Sequence, residues 1–252
     1  MRLLLVNDDG AAAPGIQILA RTAAACGHEV TIYAPDRERS GAGHSMSATD
    51  TMTAVPLCMD DIQAYQVNGT PADCLRLGAF LMKKQVDLVL SGINNGPNLG
   101  ATVVCSGTVH AALEAAMIGL PAMAVSMGQA PCRYYETAAQ IAMYLLPWIM
   151  ENPLPQGCMY NLNVPDRPMR EILGIRPAAL AHNFFSHLDY APAGEGWRPV
   201  ITGQTGQWEK DSDISLVRQG YASITALTWN MELPCPQILS FADNGPETLL
   251  HM

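Results

Sequence analysis

The sequence predicts an α/β fold built around a mostly parallel sheet, and three observations predict it. Residues 3–6 form a short continuous apolar run, which is typical of a strand buried on both faces. Apolar residues at helical spacing follow between residues 16 and 26, and residues 30–34 alternate as a second strand. A strand, a helix and a strand in this order predict a right-handed crossover between parallel strands. A chain of 252 residues is long enough to bury one large core of this class.

The composition excludes some partners and indicates others. The net charge of −9 argues against a nucleic-acid-binding surface of Lys and Arg. Charged residues make up 15% of the chain, below the roughly 25% of typical domains, so we expect part of the surface to be covered in a homo-oligomer. No apolar run approaches the ~20 residues of a membrane span, and we expect no membrane partner.

The cysteines indicate the compartment. There are seven, an odd number, and no two form a C-x-x-C pair. This usage is typical of reduced thiols in a cytoplasmic protein. Because Met1 leads directly into the first strand, we expect no signal peptide.

The first strand stops at Asn7, and Asp8, Asp9 and Gly10 follow. In open α/β sheets, ligands bind just outside the carboxyl ends of the strands. Two adjacent carboxylates there repel each other unless a cation lies between them. A solvated turn is the alternative, since Asp and Gly are common in turns. The position at the end of a buried strand favours a metal site.

The second strand ends in a charged, Gly-rich loop over residues 36–45, which contains Ser40 and His44. This loop reaches the same edge of the sheet, although simple flexibility is the alternative. Residues 46–66 predict a less regular, antiparallel extension. Thr70 then predicts a helix N-cap, with Pro71 in the first turn and Asp73 completing the cap.

A further buried strand, residues 86–90, leads into the loop that holds the most candidate ligand residues. This loop contains Asn94 and Asn98 and delivers Ser106-Gly107-Thr108 to the start of an apolar helix. Helix amino termini expose unpaired N–H groups and bind anions. The alternative is that Thr108 only caps the helix.

The rest of the chain predicts further elements and a change of character. Gly119 and Pro121 end the apolar helix, and a strand follows. Residues 134–150 predict a helix that Pro147 ends or kinks. Residues 159–165 predict a further strand. From about residue 166 turns and aromatic residues increase, with a hairpin expected within residues 198–218 and a late strand near residues 224–227. We therefore expect three parts: a core (1–165), an extension (166–235) and a loosely ordered tail (236–252).

The candidate ligands share one chemistry. Asp8, Asp9, Ser40, Asn94 and Asn98 all offer oxygen atoms at strand ends, and oxygen-only ligation selects Mg²⁺, Mn²⁺ or Ca²⁺ over structural zinc. A hard cation beside an anion-binding helix terminus indicates phosphoryl transfer. A dinucleotide site is disfavoured, because the first turn, NDDGAAAPG, lacks the G-x-G-x-x-G pattern.

Several strings carry a more specific signal. LLLVNDDGAAAPGI, APDRERSGAGHS, VNGTPADC, DLVLSGINNGPNLG, SGTVHAALEA and GLPAMAVS resemble, in order and spacing, the motifs of the SurE family of survival-protein nucleotidases. The later string WEKDSDISLVRQGYASITAL is similar too, so the resemblance covers residues 1–228. It implies a Rossmann-like three-layer core, and a C-terminal extension with a β-hairpin used to form a homodimer or homotetramer. It also implies a hydrolase, a 5′-nucleotidase or acid-type phosphatase, which releases phosphate from nucleoside 5′- and 3′-monophosphates and from short polyphosphate.

The resemblance also implies roles for individual residues. One divalent cation would be held by Asp8, Asp9, Ser40 and Asn94. The phosphate would be bound by Asn98, Ser106, Gly107 and Thr108. Two questions stay open. The phosphate is attacked either by a water that one Asp activates or by an Asp that forms an aspartyl-phosphate. The chain is either a catalyst or a non-catalytic nucleotide sensor.

For three further residues near the expected site, two interpretations stay open. His44 is either a general acid or a hydrogen-bonding residue of its loop. Cys105 and His110 depart from the family pattern, which has an aromatic and a small residue there. Either Cys105 fills a gap in the core and His110 lies on the helix surface, or both residues reshape the nucleoside side of the pocket.

Overall fold

The computed structural model describes residues 1–83, 85–182, 188–201 and 208–231. The strands are β1 (Arg2–Val6), β2 (Glu29–Pro35), β3 (Ala54–Leu57), β4 (Gln63–Val67), β5 (Leu88–Asn94), β6 (Ala122–Met127), β7 (Cys158–Val164), β8 (Ile175–Pro177), β9 (Leu188–Ala193), β10 (Gly196–Ile201) and β11 (Ala222–Thr228). The helices are α1 (Pro14–Ala25), α2 (Pro71–Leu81), α3 (Gly107–Met117), α4 (Tyr135–Glu151) and α5 (Asp213–Gln219), with short 3-10 turns at Gly100–Val104 and Met169–Glu171. No helix in these ranges combines the length and apolar character that a membrane span requires.

Nine strands form one sheet in the order β3-β4-β2-β1-β5-β6-β7-β11-β8. The six central strands from β4 to β7 are parallel. Strand β3 is antiparallel to β4, and β11 is antiparallel to β7. The mostly parallel α/β sheet expected from the sequence is therefore confirmed, and so is the antiparallel extension before α2.

The apolar run of β1 divides between two cores. Leu3 and Leu5 face the core that contains α1 and α4, whereas Leu4 and Val6 face the core that contains α2 and α3. All four side chains are fully buried, and burial of each contributes roughly 1.5–3 kcal/mol to folding. The run is continuous because both faces of β1 are covered by helices, which gives the molecule its three layers.

The strand order reverses direction at the carboxyl end of β1. The chain leaves β1 for β2 on one side and later returns to β5 on the other side. Ligands of open α/β sheets bind at such a reversal of strand order, because the two connections leave in opposite directions and open the edge between them.

Two features of the later chain differ from expectation. The hairpin lies at β9 and β10, joined by a turn at Gly194 with φ +61°, whereas we expected it within residues 198–218. Part of that stretch is helix α5, because Ser212 caps its first turn and Gly220 ends it at φ +104°. In addition, Pro147 lies inside α4, which continues to Glu151, so of the two effects expected of this proline the ending of the helix is wrong.

The expected tail, residues 236–252, lies outside the described residues. Strand β11, from the segment beyond residue 165, pairs with β7 as part of the main sheet.

Candidate active site

Asp8 lies at the carboxyl end of β1 and contacts the start of α3. Its Oδ1 accepts a hydrogen bond from the Thr108 hydroxyl at 2.5 Å, and its Oδ2 accepts one from the Thr108 backbone N–H at 3.0 Å. Two residues that are one hundred positions apart in sequence therefore share one site. Burial raises the pKa of Asp8, whereas the hydrogen bonds from Thr108 and from the Gly107 backbone lower it. The carboxylate is the anion that the amino terminus of α3 binds in this structure.

Gly107 permits this close approach. A Cβ atom at Gly107 would lie 2.9 Å from Asp8 Cβ and 2.9 Å from Pro71 Cγ. Both distances are shorter than an ordinary carbon–carbon contact. The glycine therefore lets α3 begin directly against the end of β1 and beside the start of α2.

Asp9 points to a different partner. Its Oδ2 accepts a hydrogen bond from the Asn95 backbone N–H at 3.0 Å, in the loop that follows β5. Burial raises the pKa of Asp9 to about 6; the Asn95 hydrogen bond opposes the shift, and repulsion from Asp8 and Glu38 adds to it. Two neighbouring carboxylates with a third acidic group nearby, and no cation paired with Asp8 or Asp9 among the described residues, fit a divalent cation.

The loop after β2 is fixed to the same edge. The Arg39 backbone N–H donates to the Asp8 carbonyl oxygen at 2.7 Å, which places Ser40 one residue from that contact. The Ser40 side chain is exposed, and its hydroxyl donates to Glu38 Oε1 at 2.8 Å. Ser40 therefore reaches the edge through its backbone neighbour, with its oxygen still available as an acceptor.

The two asparagines after β5 have different surroundings. Asn94 is half-buried and donates its side-chain N–H to the Gly96 carbonyl at 2.9 Å, so its Oδ1 is available as a ligand. Asn98 is buried and donates its side-chain N–H to Ser126 Oγ at 2.8 Å. Its backbone is held by the buried side chains of Asn161 and Asn163. Asn98 is thus rigidly fixed over the carboxyl ends of β6 and β7.

Ser106 is the N-cap of α3. Its Oγ accepts from the Val109 N–H at 3.1 Å, as expected of a capping serine. A hydroxyl that accepts in this way still has its own proton to donate. The helix-capping alternative for Thr108 is wrong, because Ser106 is the cap and Thr108 binds Asp8.

The side-chain hydrogen bond that the described residues give His44 goes to α3 and not to its own loop. Its Nε2 lies 2.7 Å from Glu114 Oε2, and Arg76 binds the other oxygen of the same buried carboxylate. The rings of His44 and His110 lie with their centroids 4.9 Å apart. Glu114 therefore joins the loop after β2, helix α2 and helix α3.

The simpler interpretations of Cys105 and His110 are wrong. Cys105 is exposed and fills no core gap. His110 is buried, with Nδ1 2.9 Å from the Ser106 carbonyl oxygen, and burial lowers its pKa. Both residues flank the Ser106–Thr108 segment that contacts Asp8.

Sequence reasoning missed several residues of this region. Asn95, Glu114, Asn161 and Asn163 received no role from their motifs. The strand MYNLNVP carried a usable signal, because its two asparagines alternate with apolar residues on a strand that is otherwise buried. Glu114 is the only acidic residue of α3, which is a further signal that it has a partner.

The candidate cation site has few carboxylates. Over the described ranges, no three His, Cys, Asp or Glu side chains converge as a metal-binding group. The candidate set instead combines Asp8 and Asp9 with neutral oxygens of Ser40 and Asn94. Such a mixed set suits a hard cation that retains water and binds substrate oxygens.

Comparison with known proteins settles the family. The family model described as "Survival protein SurE" matches residues 3–187. This chain belongs to the SurE family. A SurE protein named 5′-nucleotidase from Nitrosococcus oceani is 39% identical over 232 residues, 90% of this chain and 91% of that protein. The "5′/3′-nucleotidase SurE" of Yersinia pestis is 42% identical over 234 residues, 90% of this chain and 89% of its own.

A solved structure agrees with the fold. The crystal structure of the SurE protein from Aquifex aeolicus matches with a TM-score of 0.79 and 33% identity, and it covers 92% of this chain and 95% of its own. The sheet and helices that surround Asp8 and Thr108 therefore belong to an architecture shared with a solved SurE protein.

Proposed function

We propose that this chain is a nucleotidase, a hydrolase that releases phosphate from nucleoside 5′-monophosphates and also from 3′-monophosphates and short polyphosphate. The observation that carries the proposal is the pairing of Asp8 with the start of α3 beside a second carboxylate, Asp9, at the reversal of strand order. The names of the relatives, 5′-nucleotidase and 5′/3′-nucleotidase, support the choice of substrate.

One divalent cation, Mg²⁺ or Mn²⁺ with Ca²⁺ as an alternative occupant, would be held by Asp8, Asp9, Ser40 and Asn94. When bound, it would polarise a phosphoryl oxygen and offset the negative charge of the carboxylates and the substrate. The hydrogen bonds from Thr108 keep Asp8 in one orientation, and the Asn95 N–H does the same for Asp9.

The phosphate would be bound by Asn98, Ser106, Gly107 and Thr108, with unequal roles. The Thr108 amide and hydroxyl already donate to Asp8, so Thr108 acts chiefly through that carboxylate. Ser106 keeps its hydroxyl proton for a phosphate oxygen. We therefore assign the direct hydrogen bond to Ser106.

The hydrogen bonds of the two carboxylates favour direct attack by water over an aspartyl-phosphate. Both oxygens of Asp8 accept hydrogen bonds from Thr108, which makes this carboxylate a weaker nucleophile. Asp9 holds one described hydrogen bond, to Oδ2, so its Oδ1 can orient a water and accept its proton. His44 is held through Nε2 by Glu114, so its other ring nitrogen, Nδ1, is the candidate donor of a proton to the leaving oxygen.

Assembly and location belong to the same proposal. Trp197 and Tyr190 of the β9–β10 hairpin are 71% and 61% exposed, and large exposed aromatic side chains are enriched where proteins associate. This supports a homodimer or homotetramer formed through the hairpin of the extension. The scattered free cysteines support a cytoplasmic location.

The proposal is tested by measuring phosphate release from a panel of 5′- and 3′-nucleoside monophosphates and short polyphosphate, with Mg²⁺ or Mn²⁺. Multiple turnovers with one or more substrates would support the enzyme. Stoichiometric nucleotide binding with no release under any condition would overturn it and favour a nucleotide sensor that retains the pocket.

A further inference from the structure

The C-terminal extension contacts the loop that precedes Ser106 through hydrogen bonds and apolar packing. This loop, residues 98–105, contains the 3-10 turn Gly100–Val104. The Gly100 N–H donates to Asp213 Oδ2 at 2.7 Å. Asp213 is the first residue of α5, more than one hundred positions later in the chain.

Asp213 joins three separate segments through one carboxylate. Besides Gly100, it accepts hydrogen bonds at Oδ1 from the Ala181 N–H at 2.9 Å and from the Ile214 N–H at 2.8 Å. The residue is fully buried. A buried carboxylate with three backbone donors fixes their relative positions, because loss of any one leaves polar groups unpaired away from water.

A small apolar cluster supports the same contact. Leu99, Ala181, Ile214 and Val217 pack together, with Trp208 against them, separately from the two main cores. Leu99 is the only member of this cluster that belongs to the loop, and the other members come from the extension. Both the hydrogen bonds and the apolar contacts therefore connect the loop to α5 and the segment before it.

We propose that Asp213 is a positioning residue for phosphate binding, through which the C-terminal extension fixes residues 98–105 and so places Ser106 and Asn98 for the substrate. This rests on the proposed function, in which Ser106 and Asn98 bind the phosphate. Asp213 itself contacts the loop backbone. Its effect on the reaction passes through the position of that loop.

The test is Asp213→Asn, which preserves the size of the side chain. If the amide oxygen stays with Ala181 and Ile214, the side-chain NH₂ faces the Gly100 N–H, and that contact is lost. We expect KM for a nucleoside monophosphate to rise about tenfold while kcat changes by less than about threefold, because the loop contacts the phosphate before and during the reaction. We also expect the backbone amides of residues 98–105 to exchange hydrogen about tenfold faster, with the amides of β1 unchanged.

The matched control is Asp87→Asn. Asp87 also accepts a backbone hydrogen bond, from Arg2 at 2.7 Å, but it lies at the opposite, amino end of the sheet. This control should keep KM within about twofold of the wild type. If Asp213→Asn does not fold, Val217→Ala trims the apolar cluster instead and should raise KM and loop exchange in the same direction.

The outcomes separate this inference from the proposed function. An unchanged KM, or unchanged exchange of residues 98–105, in folded Asp213→Asn would overturn the inference. If the wild type releases no phosphate from any substrate, the proposed function fails. Loop exchange, with calorimetric binding of inorganic phosphate in the presence of Mg²⁺, then decides the inference: either unchanged exchange or unchanged affinity in Asp213→Asn would overturn it.

Discussion

Replacing Gly107 by alanine should displace Asp8 and lower activity more than stability. The new Cβ would lie 2.9 Å from Asp8 Cβ, 2.9 Å from Pro71 Cγ and 3.0 Å from Asp8 Oδ2. A relaxed carbon–carbon contact needs about 3.5 Å, so the groups must separate by about 0.6 Å. A separation of that size would lengthen the Thr108 N–H to Asp8 distance from 3.0 Å to about 3.6 Å, too long for a hydrogen bond.

The magnitude follows from these distances. Overpacking of this kind costs about 1–3 kcal/mol of the free energy of unfolding. The better helix propensity of alanine offsets less than about 1 kcal/mol of this, because Gly107 is the first residue of α3 and not in its interior. Activity is more sensitive, because a misplacement of about 1 Å costs about 100-fold. For the smaller displacement of Asp8 we expect kcat/KM to fall about 10- to 100-fold.

Steady-state phosphate release and urea unfolding of the same preparations measure both effects. Gly78→Ala is the matched control, since its Cβ would lie 2.8 Å from Tyr33 Cδ2, in the packing of α2 against β2. It should lower stability by a similar amount and leave most of the activity. If Gly107→Ala keeps kcat/KM within about threefold of the wild type, or if both variants lose activity equally, the role given to Gly107 is wrong.

Three further predictions follow from the hydrogen bonds and ion pairs. Thr108→Val removes the hydroxyl that donates to buried Asp8, so urea unfolding should show a loss of about 1–3 kcal/mol, with Thr108→Ser close to wild type; equal losses in the two variants would contradict this. Glu114→Gln weakens a buried junction of three elements and should cost about 1–3 kcal/mol in the same assay, and no loss would contradict the contacts. Hydrogen bonds from Arg2 hold the pKa of Asp87 below its ordinary value, so the Asp87 carboxylate stabilises the fold fully above the ordinary pKa and loses this effect as the pH falls through the lowered pKa. Between about pH 6 and about pH 3, the urea midpoint of Asp87→Asn should therefore fall less than that of the wild type. An equal fall would show that the Arg2–Asp87 pair contributes nothing to stability.

Features set by local chemistry could be predicted from the sequence. The apolar run of β1 indicated burial on both faces before any partner was known, because four consecutive apolar residues leave no solvent face. The Thr70–Asp73 capping box is present in full, since a cap depends only on residues within one turn. The parallel core followed from the order of strands and helices.

Features set by distant partners could not be predicted. Nothing near Asp8 in sequence indicates that Thr108 will bind it, and Asn95 contacts Asp9 through its backbone, which no residue type encodes. The bond between Gly100 and Asp213 joins the loop to the extension across more than one hundred residues. The hairpin was misplaced because its turn, at Gly194, comes before the stretch in which it was expected, and part of that stretch is α5, capped by Ser212.

The most direct test of the account is phosphate release by the wild type and by Asp9→Asn, each with Mg²⁺ or Mn²⁺, with EDTA, and after the metal is restored. Asp9→Asn retains the size of the side chain but removes the negative charge that a cation would meet. The account predicts release by the wild type that EDTA abolishes and added metal restores, with a loss of at least about 100-fold in the variant. Release that survives both EDTA and Asp9→Asn would show that the chemistry does not depend on the Asp8–Asp9 edge of the sheet.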